Sequence, residues 1–327
     1  MRAGGQAVIR IRGLVAAAAL ACTAVAAGCG LGPGPSSEGR ATLTVTRDYG
    51  SKTLVDETET DPHSSETVIR FLDRGADITT RYGGGFVQSI DGLAGTESGG
   101  RRYDWFFYVN GLESPVGSAE VQVHGGDRIW WDYRDWTNAM RVPAVVGSWP
   151  QPFAQASADG KRQPVRVECL AAGSACQIAA GRLADAGVRA SVEGGEGGPS
   201  RGTNALRLLV GPWNEVRDAP AVDELRGGPA ATGVFATFKG PIDGAYHLIA
   251  LDPTATPVRD LGPDAGLVAA LQDGGQPPTW LVTGSARSAV RRAASSLDTA
   301  ALRDRYAVAA PLHAPRVALP LERGGNG

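Results

Sequence analysis

The chain has 327 residues, 43% of them hydrophobic, with a formal net charge of −2 at pH 7. That length and composition support a packed core along most of the sequence and leave room for two domains of ordinary size. With 32 basic and 34 acidic residues there is no electrostatic reason to bind nucleic acid or an anionic bilayer, and both are set aside.

Arg2, Arg10 and Arg12 precede an apolar run over residues 14–25. At roughly a dozen residues this run is too short for a spanning helix and reads as a processing segment. It ends in Val25-Ala26-Ala27-Gly28-Cys29, followed by a Gly/Pro/Ser stretch at 30–37. Small residues before a lone cysteine resemble a bacterial lipobox. The resemblance implies a lipoprotein signal peptide at 1–28, a tether at 29–40 and lipidation of Cys29. The protein would then sit on the extracytoplasmic face of the cell membrane, held to the bilayer by its acyl anchor. An ordinary signal peptide cut after a small residue is the alternative. Loss of residues 1–28 removes three arginines and no acids, taking the charge to −5.

Four cysteines are present: Cys22 leaves with the leader, Cys29 takes lipid, and Cys169 and Cys176 remain. In an exported chain two leftover cysteines this close are expected to form a disulfide. A metal site is the sharper alternative, but no histidine lies near the pair and none is expected.

From residue 41 the chain enters a first domain. Residues 41–47 alternate as a strand does, with Leu43 and Val45 on one face. The polar stretch 48–65 has space for a short strand at 53–55. Residues 66–74 have helical spacing through Val68, Ile69 and Leu72, with Gly75 as a stop. Residues 79–92 read as strand, glycine-rich turn and strand. Glycines 83–85 lack the following helix and the lysine-serine pair of a phosphate loop.

The stretch 104–136 holds four of the seven tryptophans. Period-two alternation puts Trp105, Phe107 and Val109 on one face of a strand, and Phe106 and Tyr108 on the other. After turns at Asn110-Gly111 and Gly125-Gly126-Asp127, residues 128–133 sort Ile129, Trp131 and Tyr133 from Trp130 and Asp132. One face enters a core and the other keeps large rings, so Phe106, Tyr108, Trp130 and Trp136 are the candidate ligand-binding wall. The motifs Ile90-Asp91-Gly92, Trp105–Gly111 and Gly126–Tyr133 resemble those of the bacterial transcobalamin C-terminal-like family. The resemblance covers roughly residues 40–137. It implies a β-grasp fold and a sheet that faces a ligand or partner. In the animal vitamin carriers the related domain forms one wall of a cobalamin site with a helical domain, and this chain shows no helical partner.

Residues 138–164 are rich in proline and serine and read as a linker or packed crossover, with Trp149 and Phe153 lying on a surface. Residues 165–311 alternate in character: strand 165–169, helix 175–186, strands 188–192 and 205–210, helix 219–226, strand 233–238. That βαββαβ order is ferredoxin-like. Strand 246–251, helix 265–272, strand 279–283, helix 286–297 and strand 306–310 extend it. Residues 312–327 read as a disordered tail. The expected fold class is α+β, with the β-grasp-like domain at 41–137 followed by the α/β domain.

No catalytic set is legible. His63, His124, His247 and His313 are scattered, Ser285 reads as a helix cap, and Asp127 reads as a turn residue bonding the backbone. The expectation is a noncatalytic lipoprotein without cofactor, binding a small ligand or an envelope partner through its aromatic face. The alternative is a structural envelope protein whose rings pack between domains.

Overall fold

The computed structural model describes residues 34–156, 161–194 and 204–322, and the leader and Cys29 lie outside them. The chain is mixed α+β, mainly sheet. Its first part runs β1 (Arg40–Arg47), β2 (Lys52–Thr60), α1 (Val68–Gly75), β3 (Ile78–Arg81), β4 (Phe86–Ile90), β5 (Leu93–Ala94), β6 (Thr96–Ser98), β7 (Arg101–Val109), β8 (Leu112–Glu113) and β9 (Arg128–Asp135). The main sheet has the order β2-β1-β9-β7-β6, with β8 beside β7. Its centre is the parallel pair β1/β9, and its other pairings are antiparallel. Strands β3, β4 and β5 form a small separate sheet.

Alternation decides which residues enter which core. Leu43, Val45, Trp105, Ile129, Trp131 and Tyr133 point to one face and are buried under Val68, Phe71 and Leu72 of α1. Thr42, Thr44, Thr46, Tyr108, Trp130, Asp132 and Arg134 take the other face. β2 is longer than expected because its polar side chains, largely exposed, hide a strand whose neighbour is β1.

The second part continues β10 (Val165–Cys169), α2 (Ser174–Asp185), β11 (Ser191–Gly194), β12 (Leu206–Pro212), α3 (Trp213–Val216), α4 (Pro220–Asp223), α5 (Pro229–Thr232), β13 (Ala236–Ile242), β14 (Ala245–Leu251) and β15 (Pro257–Asp260). It ends with β16 (Gly266–Leu271), β17 (Thr279–Gly284), α6 (Arg287–Ser295), α7 (Thr299–Leu302), β18 (Ala307–Ala310) and β19 (Val317–Leu319). A seven-stranded sheet has the order β11-β10-β12-β17-β16-β18-β19, and β13-β14-β15 form a three-stranded sheet of their own.

This order corrects the ferredoxin-like expectation. A split βαβ unit leaves a strand between its parallel pair. Here β10 and β11 pair directly and in parallel, as do β10/β12 and β12/β17. Residues 265–272, expected as helix, contain the fully buried strand β16. A short apolar run fits either state, and Gly266 favours the strand: a Cβ there would sit 2.3 Å from the Ala289 carbonyl of α6. The expected helix at 219–226 is reduced to the single turn α4 and a 3-10 turn. The expected disordered tail at 312–327 contains β19, which pairs with β18 and buries Leu319.

Helices α2 and α6 cover one face of the large sheet, where Ala179, Leu183, Val290 and Ala293 meet Val167, Leu208, Val210 and Val282. Cys169 and Cys176 are joined as a disulfide, S–S 2.08 Å, tying β10 to α2. The segment between the two parts takes the packed alternative. Ala139, Val142, Val145, Val146, Trp149 and Phe153 are buried, and the last two rings lie 5.6 and 5.1 Å from Trp280. The described residues all belong to one compact unit.

Candidate functional site

The ring-bearing face of β7 and β9 is not open. Tyr108 and Trp130 are buried and stand 5.4 Å apart, and Tyr306, just before β18, is 5.8 Å from the first and 5.0 Å from the second. Tyr49 closes the group at 5.0 Å from Tyr306 and 5.2 Å from Phe235. These rings share one core with Leu209, Leu267, Ala269, Leu281 and Ala309 of the large sheet. The expected exposed wall is therefore corrected. With α1 already on one face of the first sheet, the second part of the chain covers the other and makes a seam. The bridging segment also presses on it: a Cβ at Gly147 would come within 2.9 Å of the Trp130 ring and 2.8 Å of the Arg305 nitrogen.

The other two expected residues lie at the margin. Phe106 is half-buried beneath the Arg134 guanidinium at 3.8 Å. Trp136 is half-buried with the Arg102 guanidinium 3.9 Å over its ring. The four rings thus do not form one accessible surface.

Two ionisable side chains, Asp132 and Arg134, are sealed in the seam with the rings. Asp132 accepts hydrogen bonds from Thr46 Oγ1 (2.6 Å), the Gly50 amide (3.1 Å) and the Tyr306 hydroxyl (3.0 Å). Trp130 Nε1 donates to the same Thr46 oxygen at 2.7 Å. Burial pushes the Asp132 carboxyl up to about 7, although these donors and Arg134 pull the other way. Desolvation disfavours the charged form more strongly than three hydrogen bonds favour it. Burial raises the Tyr108 and Tyr306 hydroxyls as well. Arg134, two positions along the same face, donates to the carbonyls of Ala139 (2.6 Å) and Met140 (3.1 Å). Among the described residues it has no carboxylate partner.

The remaining sequence candidates fall elsewhere. Asp127 accepts from the His124 amide (2.8 Å) and from Asn110 Nδ2 (2.7 Å), which fixes the turn into β9. Ser285 is not the cap of α6: Ala286 holds that position, and the Ser285 hydroxyl donates to the Tyr246 carbonyl. His247 Nδ1 lies 2.9 Å from an Asp260 oxygen. Among the described residues no group of three or more His, Cys, Asp or Glu side chains could hold a metal ion, and no helix is long and apolar enough to cross a membrane.

Sequence reasoning passed over Thr46, Arg134 and Tyr306, and placed Asp132 on the Trp130 face without giving it a role. An acid and an arginine in phase with Trp130 are a usable signal, because period two puts all three on one face. Nothing local marks Tyr306 as their partner, which lies 174 residues after Asp132.

No curated protein matches the chain. One similar solved structure is that of a protein from Ruminococcus gnavus described as a candidate metal-binding protein. It shares 16% identity over 30% of this chain and 98% of that one, with a TM-score of 0.24. Residues 65–135, which include β7 and β9 of the seam face but not β1, match the family model of a domain of unknown function, DUF4430.

Proposed function

We propose that this chain is a noncatalytic, lipid-anchored protein of the extracytoplasmic membrane face, in which a β-grasp-type sheet and an α/β body act as one rigid envelope module. The observation that carries the reading is the seam itself. Rings that would form a recognition wall on an isolated sheet are covered by Tyr49, Phe235 and Tyr306 of the same chain. The order β2-β1-β9-β7 with a parallel central pair and α1 against one face supports the β-grasp assignment. So do the motifs resembling the transcobalamin C-terminal-like family. In the vitamin carriers the corresponding wall is shared with a second domain around a ligand. Here that place is taken by protein side chains, so cobalamin is not part of the proposal.

Fractionation with protease treatment of intact or outer-membrane-permeabilised cells tests the reading. The wild-type chain is expected in the membrane fraction, to be digested from the extracytoplasmic side, and to be released into the soluble fraction by Cys29→Ser. Membrane retention of Cys29→Ser, or full protection of the wild type, contradicts it.

A further inference from the structure

The seam face of the first sheet extends beyond its rings. Pairing across β2, β1 and β9 sets Thr58, Thr42 and Arg128 in one row and Asp56, Thr44 and Trp130 in the next. Gly147 and Ser148 of the bridging segment, with Thr299, Arg303 and Asp304 near α7, line the same cleft of about 280 Å³. This is a cavity between two packed parts of the chain, walled by hydroxyls, two guanidinium groups and two carboxylates.

Two arginines and two aspartates line the cleft, so its formal charges cancel, but they are unevenly paired. Arg303 is matched by Asp56 at 2.6 Å and Asp304 at 3.3 Å. Arg128 has no ion pair and its guanidinium has no hydrogen bond among the described residues. It is half-buried; burial and then the nearby Arg303 disfavour its charge, and Asp304 offsets them only in part. Both acids of the cleft are engaged by the other arginine, and burial weakens the charge of Asp304. Ser148 is buried and its hydroxyl has no partner. A partly desolvated cation and an unsatisfied buried hydroxyl each carry a free-energy cost, and one bound oxyanion relieves both.

We propose that this cleft binds a small ligand through an oxyanion group, carboxylate or phosphate, with Arg128 as counter-ion and Ser148, Thr42 and Thr58 as hydroxyl partners. A planar guanidinium suits either group because it presents paired N–H donors. The site is independent of the membrane anchor and of the envelope role.

Isothermal titration of the full chain in detergent with inorganic phosphate, and separately with succinate, tests it. One saturable site is expected for at least one probe. Binding of phosphate alone assigns a phosphate group, binding of succinate alone a carboxylate, and binding of both an unselective oxyanion site. Arg128→Gln is expected to weaken that binding at least about tenfold, and Ser148→Ala several-fold. Thr58→Val, an exposed change to a good strand residue, keeps the fold and weakens binding too. Absence of saturable binding of either probe at millimolar concentration overturns the proposal. Binding unchanged by both Arg128→Gln and Thr58→Val also overturns it.

Discussion

Replacing Asp132 by asparagine removes a titration from the centre of the seam. Burial holds the folded-state carboxyl at about 7, against about 3.9 in an unfolded chain. Between those values the folded protein holds the proton more tightly than the unfolded chain does. Stability contributed by the protonated acid is therefore complete below the unfolded value and is lost as pH rises through the folded one. A shift of this size corresponds to about 4 kcal/mol in total, of which about 2 to 3 kcal/mol falls between about pH 5 and about pH 8. The introduced carboxamide has the shape of the neutral acid. Its oxygen still accepts from Thr46 and Gly50, and its nitrogen faces the Tyr306 hydroxyl. Urea unfolding of wild type and Asp132→Asn, followed by tryptophan fluorescence across that range, measures the difference. The variant is expected to gain on the wild type by that amount as pH rises. Parallel stability curves for the two proteins would refute the reasoning that the carboxyl is sealed and protonated in the fold.

Further outcomes follow from the packing. Gly147→Ala drives a methyl group into Trp130 and the Arg305 backbone, and is expected to lower stability by about 1 to 3 kcal/mol in denaturant unfolding. Trp130→Ala opens a cavity in the shared core and is expected to cost about 3 to 5 kcal/mol in the same measurement. Cys169→Ser with Cys176→Ser releases a cross-link with a sequence separation of 7, and is expected to lower the thermal midpoint through a loss of about 2 kcal/mol.

Much of this architecture is written locally. The alternation over residues 105–109 and 129–133 separates the α1 core from the seam side, because a strand turns successive side chains to opposite faces. The disulfide is legible from Cys169 and Cys176, the two cysteines that remain once the expected leader and lipidation site are set aside. What alternation cannot state is what lies over each face. A row of rings reads as an exposed surface until Tyr306 and Phe235, remote in sequence, are known to cover it. Asp132 and Arg134 reinforce that misreading, since charged residues in phase with rings suggest solvent when here they are buried together. The run at 266–271 carries no period at all. Its strand state is set by β17 and β18 on either side and by the approach of α6 at Gly266. β2 fails in the opposite way: its side chains are polar, and only its pairing with β1 makes it a strand.

The central claim is that the two sheets meet through the rings of Trp130 and Tyr306, whose centroids lie 5.0 Å apart. A double-mutant cycle on Trp130→Leu and Tyr306→Leu, read as unfolding free energies, tests it most directly. The two changes are expected to be non-additive by about 0.5 to 1.5 kcal/mol. Additive costs, with a coupling of about zero, would mean that these rings do not touch and that the seam does not exist.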